Sequence, residues 1–244
     1  MAKNIYGLVG YPLGHSFSRN FFSEKFTREG LDCEYLNFEI PSIDKIEGVV
    51  ATPNLRGFNV TIPYKQQIIP YLDEIDSVAA EIGAVNVVKV LEGGKLKGFN
   101  SDIVGFRESI KPLLNGSHKK ALVLGTGGAS RAVVAGLKQL GIEPTLVSRK
   151  PGENILGYSD LTPEVMAEHT VIVNTTPLGM YPAVDNAPDI PYRELTQSHV
   201  CFDLVYNPEI TKFMDLSRLR GAIIKNGLEM LHLQAIESWR IWSE

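Results

Sequence analysis

The run Ala121-Leu122-Val123-Leu124 followed by Gly125-Thr126-Gly127-Gly128-Ala129-Ser130 constrains this chain more than any other stretch. An apolar run, a glycine turn and a helical pattern from Ala129 to Leu140 give strand, turn and helix in that order. A glycine turn that opens a helix aims backbone N–H groups and the positive helix end at one point, and glycine lets a phosphate approach the backbone closely. Ser130 stands where a third glycine or alanine is usual. The next predicted strand, Thr145 to Ser148, ends in Val147-Ser148-Arg149-Lys150, with no acid to accept a ribose hydroxyl. Arg149, with Ser148 and Lys150 beside it, suits a 2′-phosphate instead, so the expected dinucleotide is NADP.

The same βα grammar runs through the rest of the chain. Ile5 to Gly10 reads as a strand and Phe17, Phe21, Phe22 and Phe26 as a helix ended by Gly30. Glu34 to Ile40 and Phe58 to Thr61 read as strands, with a helix over Ser42 to Val50 between them. Ala84 to Val90 and Lys95 to Asn100 flank Glu92-Gly93-Gly94, a hairpin expected at a sheet edge. Asp102 to Leu114 reads as a connecting helix, and strands are expected at Thr170 to Val173 and Val200 to Leu204. Between Ser148 and Thr170 the chain is too short and too rich in proline and glycine for a full crossover helix. The amphipathic segment Gly227 to Trp242 is expected to return to the first domain. The fold class is therefore α/β: an N-terminal α/β domain over residues 1–102 and 226–244, interrupted by a Rossmann-like domain over 103–225.

Composition narrows the classes of function. With 244 residues, 44% of them apolar, the chain can bury cores for two modest domains. A net charge of −4 argues against a nucleic acid or an anionic membrane as partner. Cys33 and Cys201 lack metal-ligand spacing, so no metal is expected and reduced thiols in the cytoplasm are. The N-terminal residues show no signal-peptide run and no apolar stretch reaches the length of a membrane span.

A second polar constellation surrounds the strand Asn59-Val60-Thr61-Ile62-Pro63-Tyr64-Lys65. Asn59 and Thr61, two residues apart, can meet hydroxyls, and Lys65 can donate a proton to a carbonyl oxygen. Asn100-Ser101-Asp102 offers a carboxylate partner for that lysine. In Gly10-Tyr11-Pro12-Leu13-Gly14-His15-Ser16-Phe17-Ser18, hydroxyls and helix amides can receive a carboxylate, although a serine there also simply caps the helix. Asn174-Thr175-Thr176-Pro177 leaves a strand at its carboxyl end, where open α/β sheets bind ligands.

These segments, with Ala84-Val85-Asn86, Leu178-Gly179-Met180, Asp203 to Pro208 and Gly227 to Gln234, resemble the shikimate dehydrogenase family over nearly the whole chain. The resemblance implies reversible NADPH-dependent reduction of 3-dehydroshikimate to shikimate in aromatic biosynthesis. It implies Lys65 and Asp102 as catalytic residues, Ser16 and Ser18 at the substrate carboxylate with Tyr206 nearby, and Thr61, Asn86 and Gln234 around the ring hydroxyls. Gly125, Gly127, Gly128 and Ala129 would hold the pyrophosphate, Arg149 the 2′-phosphate, and Thr175, Met180 and Gly227 the nicotinamide side. Three positions depart from the family pattern: Ser101 for threonine, Ser148 for asparagine, and the short interval after Lys150. A quinate/shikimate dehydrogenase with relaxed NAD(P) use and a non-catalytic dinucleotide sensor are the alternatives, as monomer or homodimer. Arg149 opposes the first, and the pairing of Lys65 with Asp102 opposes the second.

Overall fold

The computed structural model describes residues 3–14 and 17–244. The chain forms two compact units, one of residues 1–101 with 235–244 and the other of residues 102–234. Among the described residues each unit contains one six-stranded sheet.

The first unit holds β1 (Asn4–Gly10), α1 (Phe17–Arg28), β2 (Cys33–Glu39), α2 (Ile46–Val50), β3 (Leu55–Val60), β4 (Glu74–Ile75), α3 (Ser77–Ile82), β5 (Val87–Val90) and β6 (Leu96–Phe99). Its sheet runs in the order β2-β1-β3-β5-β6-β4. β1 is parallel to both β2 and β3, whereas β5 is antiparallel to β3 and β6. The hairpin expected at the edge is real, with Gly93 and Gly94 at φ of 77° and 80° in its turn. It is not the edge, because β4, which the sequence pattern missed, pairs outside β6. Two residues are too few to show a period.

The phenylalanines of α1 explain its docking. Phe22 and Phe26, one turn apart, are buried against Tyr6 and Tyr35 of the sheet and against Trp242 and Trp239. The rings of Phe22 and Tyr35 stack at 4.8 Å, and Tyr6 lies 4.9 Å from Trp242. The Trp242 indole N–H donates to the Val88 carbonyl at 3.0 Å, which gives the buried ring its polar partner. On the opposite face of the sheet Phe58, Val60, Val85, Val88 and Ile68 form the other core.

The second unit holds α4 (Asp102–Ile110), β7 (Lys120–Leu124), α5 (Gly128–Gln139), β8 (Glu143–Val147), β9 (Ile155–Leu156), α6 (Pro163–Glu168), β10 (Val171–Asn174), β11 (Val200–Asp203), α7 (Lys212–Arg218), β12 (Ile223–Lys225) and the start of α8 (Leu228–Ser243), whose residues from Ala235 onward belong to the first unit. Every strand is parallel to its neighbours, in the order β9-β8-β7-β10-β11-β12. This is the doubly wound arrangement, and its order reverses between β7 and β10. Alternation in β7 fills both faces: Ala121 and Val123 pack with Val133, Leu137 and Phe106, while Leu122 and Leu124 pack with Met166, Ile172 and Phe213. The short interval after Lys150 yields the two-residue β9, a single 3-10 turn at Tyr158–Asp160 and the six-residue α6. No helix of the described residues is long and apolar enough to cross a membrane.

Gly57 marks where sheet and tryptophan meet. A Cβ there would lie 2.4 Å from the Trp242 Nε1 and 2.7 Å from the Val88 carbonyl oxygen. Gly57→Ala is therefore expected to destabilise the protein by about 1–3 kcal/mol through overpacking, read as a lowered midpoint in urea at unchanged slope.

Candidate active site

The glycine turn leaves β7 at the point where strand order reverses. Gly125 has φ of 107°, and a Cβ there would meet the Thr175 hydroxyl oxygen at 2.9 Å and the Thr176 methyl at 3.0 Å. Thr175 fixes this contact by donating both its N–H, at 2.9 Å, and its hydroxyl, at 2.7 Å, to the Leu124 carbonyl. Gly127 caps α5, and a Cβ at Gly127 or Gly128 would meet nothing within 4 Å. No acid stands in the first turn of α5, so no negative charge of the helix itself competes at its amide end. Ala129 follows in the same turn, and Ser130 is buried with its hydroxyl donated to the Gly127 carbonyl at 2.7 Å. That bond removes the difficulty of a serine at a glycine position.

At the end of β8, Ser148 accepts from the Lys150 N–H at 3.2 Å, and Arg149 and Lys150 are exposed. These features fit a phosphorylated dinucleotide: an open cradle at a helix N-terminus, and two cations where an acid would repel a phosphate.

The carboxyl ends of β10 and β11 carry a second, buried device. Asp203 is fully buried. Its Oδ1 accepts from the Asn174 side-chain amide at 2.9 Å and from the Val205 N–H at 3.0 Å, and its Oδ2 accepts from the Thr211 hydroxyl at 2.6 Å. Burial pushes the carboxyl up from 3.8 to about 6, against the lowering effect of those three donors. Asn174 in turn accepts from the N–H and the hydroxyl of Thr176, at 3.0 and 2.6 Å. Met180 and Tyr206, on the loops so tied, are 47% and 42% exposed and thus available to a ligand. Gly227 is wedged against the Leu204 backbone, where a Cβ would lie 2.1 Å from the carbonyl oxygen.

In the first unit, one backbone and two side-chain hydrogen bonds link the segments that carry Lys65, Asn86 and Ser101. The Val85 N–H donates to the Lys65 carbonyl at 2.8 Å, and the next residue, Asn86, pairs reciprocally with Ser101. The Ser101 N–H donates to Asn86 Oδ1 at 2.7 Å, and Asn86 Nδ2 donates to Ser101 Oγ at 3.0 Å. Asp102 is the next residue and opens α4. Lys65 and Asp102 are both half-buried rather than solvent-facing. Thr61 is half-buried beside Gly10, where a Cβ would lie 2.4 Å from its methyl group. In the second unit, Gly105, one turn along from Asp102, lets α4 press on α8, where a Cβ would stand 2.6 Å from the Met230 carbonyl and 3.1 Å from Gln234. The Gln234 amide donates to the Leu231 carbonyl at 2.9 Å.

Asn59 departs from its expected part. Its Oδ1 accepts from the Tyr35 hydroxyl at 2.8 Å, while Nδ2 donates to the Asn86 carbonyl at 3.2 Å and to Ser238 Oγ at 3.0 Å. At 5% exposure, with both amide hydrogens engaged by protein, it supports Asn86 rather than meeting a substrate hydroxyl. Ser18 lies in the first turn of α1. Ser16 falls outside the described residues. Sequence reasoning missed Asp203, Tyr35 and Ser238 as parts of the site's frame. Only the acid at the end of a strand gave a signal, since a tyrosine and a serine among apolar neighbours read as core.

A doubly wound unit with a glycine turn where strand order reverses, in one chain with a second α/β unit, is the architecture of a two-domain nicotinamide-dependent dehydrogenase class. The sequence signature described as the shikimate dehydrogenase substrate binding domain matches residues 8–88. A shikimate dehydrogenase (NADP(+)) from Halothermothrix orenii is 40% identical, covering 99% of this chain and 91% of the relative. The crystal structure of shikimate 5-dehydrogenase from Thermus thermophilus in complex with NADP(H) and shikimate superimposes with a TM-score of 0.86 at 30% identity, covering 98% of this chain and 93% of that one. That from Listeria monocytogenes in complex with shikimate and NAD gives 0.89 at 28% identity, covering 99% and 92%. The chain belongs to the shikimate dehydrogenase family.

Asp203 sets a pH dependence. Because its folded value, about 6, lies above the ordinary 3.8, the protonated acid favours the fold fully below about pH 4, and that contribution is lost as pH rises towards 6. Asp203→Asn stays neutral throughout, so its stability relative to the wild type is expected to improve by roughly 2 kcal/mol between pH 4 and pH 6.5, measured by denaturant titration at each pH. Gly227→Ala, which drives a methyl into the Leu204 carbonyl, is expected to weaken NADP binding by at least about tenfold, read by calorimetry.

Proposed function

We propose that this protein is a cytoplasmic NADP-dependent shikimate dehydrogenase, which reversibly reduces 3-dehydroshikimate to shikimate on the way to chorismate and the aromatic amino acids. The observation that carries this reading is the bonding of the Lys65 segment, through its backbone carbonyl, to the Val85 N–H, while the next residue, Asn86, pairs with Ser101, which immediately precedes Asp102.

On this reading residues 1–102 and 226–244 bind substrate and 103–225 bind the dinucleotide. NADPH, when bound, supplies the hydride. Gly125, Gly127, Gly128 and Ala129 hold the pyrophosphate with backbone N–H groups, and Arg149 pairs the 2′-phosphate, with Ser148 and Lys150 beside it. Thr175, Met180 and Gly227 line the nicotinamide side. Lys65 gives a proton to the ketone oxygen as it becomes an alkoxide, and takes it back in the reverse direction. Asp102 orients the ammonium and balances its charge. Half-burial of both groups supports this assignment, since charges withdrawn from water interact more strongly. Ser16, Ser18 and Tyr206 receive the substrate carboxylate. Asn86 commits one amide hydrogen to Ser101, which leaves the other for a ring hydroxyl beside Thr61 and Gln234.

Following nicotinamide absorbance with purified protein, shikimate and NADP is expected to show turnover, with much slower reaction on quinate or with NAD. No turnover of shikimate with either cofactor would reject the function. Lys65→Ala is expected to lower kcat by about 10²–10⁴ with little change in NADP affinity. Arg149→Ala is expected to raise KM for NADP by about ten- to a hundredfold while leaving KM for NAD unchanged.

A further inference from the structure

Asp203 touches none of the groups assigned to substrate or cofactor, yet its carboxylate gathers three separate segments. Asn174 ends β10 and starts the loop through Thr175 and Met180. Val205 starts the loop through Tyr206. Thr211 ends that loop and caps α7, its hydroxyl oxygen accepting the Met214 N–H. A fourth segment joins through the backbone, because the Val205 carbonyl accepts the Gly227 N–H at 3.2 Å. The two loops are also bonded directly, the Tyr181 N–H donating to the Asn207 carbonyl at 3.1 Å. A single buried carboxylate thus ties together the roots of the segments that carry Thr175, Met180 and Tyr206, and through Val205 it is one bond from Gly227.

We propose that Asp203 is a positioning residue for the dehydrogenase reaction, holding the loops after β10 and β11 so that the nicotinamide half of the cofactor is seated for transfer. The inference rests on the NADP-dependent reading above. The chemistry favours a carboxylate in this place. It has no hydrogen to present, so both oxygens accept, and three donors from different segments converge on it without competition. An asparagine has one such oxygen, and its amide would face the Thr211 hydroxyl with a donor. A fully buried acid is an expensive way to tie loops, and apolar packing would stabilise as well without fixing the angle at which they leave the sheet.

The test is Asp203→Asn at pH 7.5, read by kinetics and by calorimetry with two probes, NADP and adenosine 2′,5′-bisphosphate. The expected result is a kcat about tenfold or more below wild type and weaker NADP binding, with adenosine 2′,5′-bisphosphate bound as in the wild type. Unchanged kcat and NADP affinity would overturn the proposal, and so would an equal loss for both probes, which would mean general damage to the sheet. Should the variant not fold, Thr211→Val and Thr211→Ser replace it. Valine, without a hydroxyl, is expected to lower kcat and NADP affinity while serine retains them. Valine behaving as wild type would sink the idea. Failure of the functional reading is separately visible, since wild-type protein would then lack shikimate turnover, whereas the comparison of the two probes still reports on Asp203.

Discussion

All-parallel pairing in the second sheet is the constraint from which the rest of that unit follows. It sends every strand's carboxyl end to the same edge, where backbone carbonyls and N–H groups run out of ladder partners and must be satisfied by something else. The chain meets this with side chains of the emerging loops. Thr175 bonds back to Leu124 across the point where strand order reverses, Asn174 receives Thr176, and Asp203 collects Asn174, Val205 and Thr211. The loops after β10 and β11 are thereby hydrogen-bonded at their roots and exposed at Met180 and Tyr206.

The first unit solves a different problem, that of holding polar side chains inside an apolar shell. Tyr35, Asn59, Ser238, Ser101 and Asn86 are each at most 5% exposed and are joined by hydrogen bonds from the Tyr35 hydroxyl to the Asn86 amide. A network of this kind is tolerable only when every member is satisfied, and satisfaction fixes orientation. Because Asn59 gives its amide hydrogens inward, to the Asn86 carbonyl and to Ser238, Asn86 is held by its neighbours on two sides. Ser101 supplies the hydroxyl that this pairing requires.

Legibility followed element length and periodicity. The strand–glycine–helix unit, the aromatic face of α1 and the glycine hairpin were plain, since each combines a period with a stop signal. β4, β9 and β12, at two or three residues, could not announce themselves, and neither could α3 and α7, of six and seven residues. Their existence depends on neighbours: β12 pairs with β11, and α3 is started by Asp76 and stopped by Gly83 at a φ of 67°. Among site residues, those whose chemistry is unusual for their surroundings stood out, as did Lys65, Asp102 and Arg149. Asn59 misled, because a polar residue in a strand looks the same from sequence whether it faces a ligand or a buried tyrosine.

The amino-acid order by itself determined the alternation of strands and helices, the glycine turn that opens a helix, the cationic end of β8 at Arg149 and Lys150, and the placing of Lys65 and Asp102 in two polar clusters. These are local properties, set by side-chain period, backbone freedom at glycine and the charge a residue carries. Only the tertiary structure decided that Asn59 is turned inward, that Ser130 is reconciled to the glycine turn by its bond to Gly127, and that Asp203 is the common anchor of the loops after β10 and β11. Each of those depends on which donors converge on one buried atom, and convergence of segments far apart in the chain is not written in any one of them.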